Sequence, residues 1–225
     1  MELICRANSP EMANEALASG MDAIQCGFAD LTNAEGLVQR HFTLLEMGGT
    51  LTRVQMAGRR LYLTIDTPMQ GGREALWTDT VDRAVALGAD AVMLSDVGLL
   101  AYVAHRHPSL RRHFLMPMAA VNVSHIEFLA EAFGLTRAVL PAGFLVEEVV
   151  RLARSTRCQI EVTARATRFA RDAAEAGRPS LDLLANTERL ADAGVAALRL
   201  DGAQPGGMLA SLVGAIRGPL AEAAA

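Results

Sequence analysis

The sequence contains no lysine; all 21 of its basic side chains are arginines. Schiff-base catalysis and pyridoxal-phosphate attachment both require a lysine amine, so the lysine-dependent aldolases and pyridoxal enzymes are excluded. Aromatic residues make up only 4% of the chain, so its core has to rest on Leu, Val, Ile, Ala and Met. Cysteine is scarce: Cys5, Cys26 and Cys158 are odd in number and widely spaced. Neither a disulfide framework nor a zinc ribbon is indicated, and a reducing compartment is the default. No uninterrupted apolar run reaches the roughly 18 residues of a membrane span. The N-terminal stretch is too polar after Cys5 for a signal peptide. A cytoplasmic protein with no membrane partner is therefore expected. The arginines are scattered and the formal charge is −4, so a nucleic-acid surface is not expected. The five histidines do not cluster, which argues against a histidine zinc site.

What is present is a regular alternation of short apolar runs with longer amphipathic stretches, the pattern of repeated βα units. Strands are expected at Glu2–Arg6, Ala23–Gly27, Arg60–Asp66, Ala91–Ser95, Phe114–Met118, Ala138–Leu140, Gln159–Ala164 and Ala197–Leu200. Ser9-Pro10 marks a helix start, and Gly20, Gly88 and Gly134 mark helix stops. Further helices are expected from Asn33 to Met47, at Glu74–Leu87, Val97–His105, Ser124–Phe133, Glu147–Ser155 and Leu181–Ala193, and after Gly206-Gly207. Eight such units in 225 residues favour closure into one (β/α)8 TIM barrel over an open doubly wound sheet, with no room for a sizeable second domain.

In such a barrel one face of each strand packs on helices and the other faces the lumen. Leu61, Leu63 and Ile65 alternate with Tyr62, Thr64 and Asp66. Ile160, Val162 and Ala164 alternate with Glu161, Thr163 and Arg165, and Leu198 and Leu200 with Arg199 and Asp201. The polar set falls on the inward parity, and Arg6 and Gln25 join it. Buried charges are costly unless paired or used. This set is therefore either a group of structural ion pairs or a ligand site at the carboxyl ends of the strands. As a site, Asp66, Glu161 and Asp201 are the candidate catalytic carboxylates, able to act as general base or hold a divalent metal. Arg6, Arg165 and Arg199 would orient an anion, with Gln25 and Thr64 beside them. Asp96 lies at the mouth or caps the helix that follows it, and Asn122 lies at the mouth or caps a turn. Gly206 and Gly207 precede a helix, where backbone N–H groups can hold phosphate.

Several segments resemble one family. Ala18-Ser19-Gly20-Met21-Asp22-Ala23-Ile24-Gln25-Cys26-Gly27 is similar to an Ala-Gly-Ala-Asp-Ala-Val-Tyr-Leu-Gly segment of the collagenase-like peptidases, peptidase family U32. GADAVMLSDVGLL is similar to its Gly-Val-Asp-Ala-Leu-Ile-Val-Ser-Asp-Pro-Gly segment. VNVSHIEFLAEAFGLTRAVL resembles its Asn-Val-Thr-Asn helix and the strand after it. ADAGVAALRLDG resembles its closing Ala-Gly-Val-Asp-Ser-Leu-Lys-Ile-Glu-Gly-Arg. The likeness spans nearly the whole chain in order. The resemblance implies a barrel, and its nominal activity is that of a peptidase, a hydrolase. Cysteine-bearing members are iron–sulfur proteins of oxygen-independent ubiquinone hydroxylation and RNA base hydroxylation. Here Arg165 stands where the family has histidine and Phe169 roughly where it has cysteine. No cysteine follows Cys158, and Ala203 replaces the closing arginine. Cluster ligation needs thiolates, so no iron–sulfur cluster is expected.

The resulting expectation is a divergent U32-like barrel that binds a small anionic or aromatic ligand at the strand ends. It would serve a hydroxylation or ubiquinone-type biosynthetic pathway as enzyme or partner subunit, alone, as a homodimer or with a paralogous relative. Two alternatives stand beside it: a Mg-dependent lyase, aldolase or isomerase acting on a phosphorylated or keto-acid substrate, and a peptidase.

Overall fold

The eight strands close because each βα unit returns the chain beside the strand it has just left, always in parallel. The computed structural model describes residues 1–34, 41–164, 186–201 and 208–222. Its strands are β1 (Glu2–Arg6), β2 (Ala23–Cys26), β3 (Arg60–Ile65), β4 (Ala91–Leu94), β5 (Arg111–Leu115), β6 (Arg137–Val139), β7 (Gln159–Ala164) and β8 (Ala197–Asp201). They form one closed parallel barrel in sequence order, with β8 paired to β1. The helices among the described residues are α1 (Pro10–Ala18), α2 (Leu44–Met56), α3 (Ala75–Leu87), α4 (Val97–Arg106), α5 (Val123–Phe133), α6 (Val146–Ser155), α7 (Thr187–Asp192) and α8 (Met208–Glu222), with a 3-10 turn at Met118–Ala120.

Two apolar layers result from strand alternation. The outward residues, such as Leu61, Leu63, Ile65, Ile160 and Val162, join helix residues such as Met47, Trp77, Leu99 and Leu129 in the main core. The inward residues Ile4, Ala23, Tyr62, Ala91, Met93, Val139 and Ala197 form a smaller cluster inside the lumen.

A short device recurs where helices return to strands. Gly20, Gly88, Gly134 and Gly194 have φ of 83°, 87°, 63° and 86°, the left-handed region that glycine enters without a Cβ penalty. Two residues after each glycine, a backbone N–H bonds the neighbouring strand: Asp22 to Leu3, Asp90 to Leu61, Thr136 to Arg112 and Ala196 to Ile160. In the first three the side chain also accepts that strand's N–H, at 2.9, 2.8 and 3.1 Å. The Gly-x-Asp-Ala motifs are therefore barrel-closing turns on the amino face, opposite the mouth.

Two elements differ from the sequence expectation. The second helix runs over Leu44–Met56 instead of Asn33–Met47, because Thr43 and Glu46 form a reciprocal capping box. Gly48 and Gly49 then lie inside the helix, and His41 precedes it. The fifth strand is Arg111–Leu115 instead of Phe114–Met118. Its charged start is accommodated on both faces. Arg112 points outward and donates to the carbonyls of Gly134, His107 and Pro108 at 3.1, 3.3 and 3.2 Å. Those carbonyls close α5 and α4, so the guanidinium sits at the negative ends of two helix dipoles.

Candidate ligand-binding site

The strand registers stagger the lumen into tiers drawn alternately from odd and even strands. From the amino face upward these are Glu2, Arg60, Arg111 and Gln159; Ala23, Ala91, Arg137 and Ala197; Ile4, Tyr62, His113 and Glu161; Gln25, Met93, Val139 and Arg199; and Arg6, Thr64, Leu115 and Thr163. Three alanines in the second tier leave room for one large side chain, and Arg137 fills it.

Arg137 organises the floor. Its Nη1 lies 2.7 Å from Glu2 Oε2 and 3.3 Å from Glu161 Oε2. Its Nε and Nη2 donate to Gln159 Oε1 at 3.1 and 2.9 Å, and the guanidinium stands 5.7 Å from the Tyr62 ring. Tyr62 donates its hydroxyl to Glu2 Oε1 at 2.6 Å, and Arg60 pairs with the same oxygen at 2.8 Å. Burial alone would weaken the Arg137 cation; Glu2 and Glu161 outweigh it and hold the proton more tightly. Burial, and then the bond to Glu2, pushes the Tyr62 phenol up. His113 stacks edge-on to Tyr62 at 4.8 Å with neither ring nitrogen bonded among the described residues. Burial and then Arg137 hold it well below the ordinary histidine value, so it is neutral.

Arg199 organises the mouth. Its Nη1 donates to Gln25 Oε1 at 3.3 Å and its Nη2 to Thr163 Oγ1 at 2.6 Å. Gln25 in turn donates to Thr64 Oγ1 at 2.9 Å. Its Nε faces Glu161 Oε1 at 3.8 Å, longer than a hydrogen bond. The Arg199 side chain keeps 14% of its exposure, while Glu161 beneath it has none. Burial raises the Glu161 carboxyl, against the opposing pull of Arg199 and Arg137. Glu161 thus anchors both arginines from the middle of the lumen.

The structure brings Arg6, Gln25, Thr64, Glu161 and Arg199 onto the inward face, the first of them half-buried in the top tier. Asp66 stands at the end of β3, half-buried, and accepts the Ala34 N–H at 2.6 Å. It ties down the loop after β2 and lies apart from Glu161. Asp96 is the N-cap of α4, accepting from Leu99 at 2.9 Å and from Met69 at 3.2 Å. Asn122 is the N-cap of α5, accepting from His125 at 2.8 Å. Asp201 ends β8 opposite Arg6. Arg165, Gly206 and Gly207 lie outside the described residues. Among the described residues no three His, Cys, Asp or Glu side chains converge as a metal site would require.

Sequence reasoning missed Asn33 and His113. Asn33 is buried over Gly27, where a Cβ would stand 1.8 Å from its Nδ2. Glycine there lets the loop after β2 fold over the strand end, and the Cys26-Gly27-Phe28 run was its only sequence signal. His113 was hidden by the misplaced fifth strand. The cysteines are all buried: Cys5 and Cys26 face the helices, Cys26 against Met47 at 3.4 Å. Burial pushes the thiols of Cys26 and Cys158 up to about 12 and about 11.

Among the described residues no helix is long and apolar enough to cross a membrane. Comparison with known proteins adds the lineage. The tRNA hydroxylation protein P of Escherichia coli (strain K12) is 24% identical over 148 residues, 66% of this chain and 32% of that protein. Its namesake in Haemophilus influenzae is 22% identical over 151 residues, 67% of this chain and 32% of that one. The chain spans about a third of the length of these curated relatives. A solved U32 peptidase, Mk0906, superposes with a TM-score of 0.62 at 15% identity, covering 91% of this chain and 94% of that one. The N-(5'-phosphoribosyl)anthranilate isomerase of Pyrococcus furiosus superposes at 0.62 with 11% identity, covering 97% and 99%. Identities this low share a fold and nothing finer. The profile of peptidase family U32, however, matches residues 8–167, well over half of the sequence, and the chain belongs to that family.

Proposed function

We propose that the mouth of this barrel binds a small anionic ligand at Arg199, and that the protein serves a hydroxylation pathway, as an enzyme or as the partner of one. The observation that carries the reading is the setting of Arg199. Two neutral side chains fix its guanidinium, Glu161 lies beneath it, and the side chain keeps 14% of its exposure. A guanidinium oriented in this way offers its remaining N–H groups to an anion. The relatives named for tRNA hydroxylation support the pathway assignment.

The residues present do not fit an iron–sulfur cluster. The three cysteines fall short of a four-thiolate set. They are also buried, two on the helix-facing side and one at the amino end of β7, and burial keeps the Cys26 and Cys158 thiols protonated. The same burial speaks against a cysteine peptidase nucleophile. Any redox step belongs to a partner or to another kind of chemistry.

The test is a deletion strain of the source organism complemented with the wild-type chain or with Arg199→Gln, with nucleosides from total tRNA quantified by mass spectrometry. Loss of a hydroxylated nucleoside that the wild type restores and Arg199→Gln does not is the expected result. An unchanged nucleoside profile in the deletion strain overturns the pathway assignment. Full rescue by Arg199→Gln overturns the site.

A further inference from the structure

The two most exposed large apolar side chains among the described residues lie on one helix. Leu45 is 88% and Met56 84% exposed, both on α2. They also lie on one face of it. Residues 45, 49, 52 and 56 are spaced by four, three and four, so Leu45, Gly49, Thr52 and Met56 line up along the helix. All four positions are exposed and none carries a charge. The other side of α2, with Met47, Leu51 and Val54, is buried in the main core. Phe128 on α5 is exposed too, but its ring stacks edge-on with Phe133 at 6.1 Å.

The glycines of α2 provide a second observation. Glycine inside a helix costs backbone entropy and contributes no packing, so it calls for a reason. Gly27 has one within the chain, the Asn33 side chain above it. Gly48 and Gly49 have none: a Cβ on Gly48 would meet nothing within 4 Å, and one on Gly49 only the Arg53 guanidinium at 3.7 Å, an ordinary contact. Bare backbone between two projecting apolar side chains lets a second helix approach closely.

Charge selects the occupant. Glu46 and Arg53, seven residues apart, lie on the same flank of that face, one in the first turn of α2 and one in the last. Consider a second α2 running antiparallel, about a twofold axis level with the midpoint of Gly49 and Thr52. Leu45 then meets Met56 of the second copy, and Gly49 meets its Thr52. Glu46 stands beside Arg53 of the second copy, about 3 Å away along the helix axes, and symmetry repeats the pair. The opposite flank, with Leu44, Gly48 and Gln55, is uncharged. A parallel copy would instead set Glu46 level with Glu46 and Arg53 with Arg53. The face is therefore complementary to itself, as a twofold contact requires.

We propose that the outer face of α2 is the contact between two copies of this chain, packed antiparallel with Leu45 of each against Met56 of the other. The contact involves no residue of the Arg199 site.

Sedimentation equilibrium of the full chain over a dilution series tests it. A reversible dimer is expected. Leu45→Glu should weaken it by about tenfold or more. Arg53→Glu should weaken it in the same direction, most clearly at low salt. Gly49→Leu should also weaken it, while the Tm, read at a dilution where the monomer prevails, stays level or rises. Mild oxidation of cysteine variants reads the geometry, since the three native cysteines are buried. An equimolar mixture of Leu45→Cys and Met56→Cys should give a disulfide-linked dimer. Neither variant alone should, because like positions lie about three turns apart. A monomer at every concentration overturns the proposal and leaves this face to a different protein. A dimer that Leu45→Glu and Gly49→Leu leave unchanged places the interface elsewhere, and cross-linking of Leu45→Cys with itself rules out the antiparallel contact.

Discussion

Two arginines inside one barrel are used in opposite ways. Arg137, in the floor, touches Glu2 and Glu161 directly, stacks near Tyr62 and is sealed from solvent. Arg199, two tiers higher, rests on the neutral Gln25 and Thr163, meets its carboxylate only at 3.8 Å and keeps an open edge. A buried cation whose counter-charge is in contact is a structural element. A cation oriented by neutral partners and still partly exposed is the one proposed above to meet a ligand. Glu161 serves both arginines and so couples the rigid floor to the mouth.

That contrast breaks most visibly under substitution. Arg137→Met leaves Glu2 and Glu161 without their shared cation and should destabilise the fold by about 3–5 kcal/mol, read from the urea midpoint. Arg199→Gln should cost roughly 1 kcal/mol or less while abolishing ligand binding; equal destabilisation by the two would erase the distinction. Gly27→Ala forces a Cβ onto Asn33 and should cost about 1–3 kcal/mol by overpacking, measurable as a lowered Tm.

The floor also predicts a pH dependence. His113 titrates well below its ordinary value near 6.5 when folded, so below about pH 6.5 the unfolded chain binds a proton that the folded chain refuses. The His113 contribution to stability should therefore fall on acidification through that window, by at most about 1.4 kcal/mol per pH unit, against the opposite slope of the raised Glu161 carboxyl. His113→Phe should flatten this slope in urea titrations at successive pH values, whereas Arg199→Gln should leave it in place. The smallest effect is expected at the periphery. Asn122→Ala removes the cap of α5 and should lower stability by about 1 kcal/mol, with the Arg199 site intact by calorimetry.

The barrel and most of its inward face were legible because period-two alternation in β3 and β7 leaves few ways to bury Leu61, Leu63, Ile160 and Val162. The capping pattern was legible in part. Ser9-Pro10 and Gly88 acted as read, but the second helix, expected to end at Met47, instead starts at the capping box of Thr43 and Glu46 and takes in Gly48 and Gly49. The fifth strand was misplaced because Arg111 and Arg112 read as loop residues. In the fold, one meets Gln159 at the amino face and the other the ends of two helices. Asp96 suited mouth or helix cap equally, since an N-cap at this face of a barrel is also at the mouth, whereas Asn122, read as mouth or turn, proved to be the N-cap of α5.

By itself the sequence determined the closed parallel barrel, the polarity of its lumen and the lack of lysine and of a full cysteine set. These follow from alternation and composition, which are local properties. Tertiary structure alone decided which carboxylate meets which arginine. Strand stagger, set by pairing around the whole ring, places Glu161 between Arg137 and Arg199 and leaves the Arg199 side chain partly exposed above it.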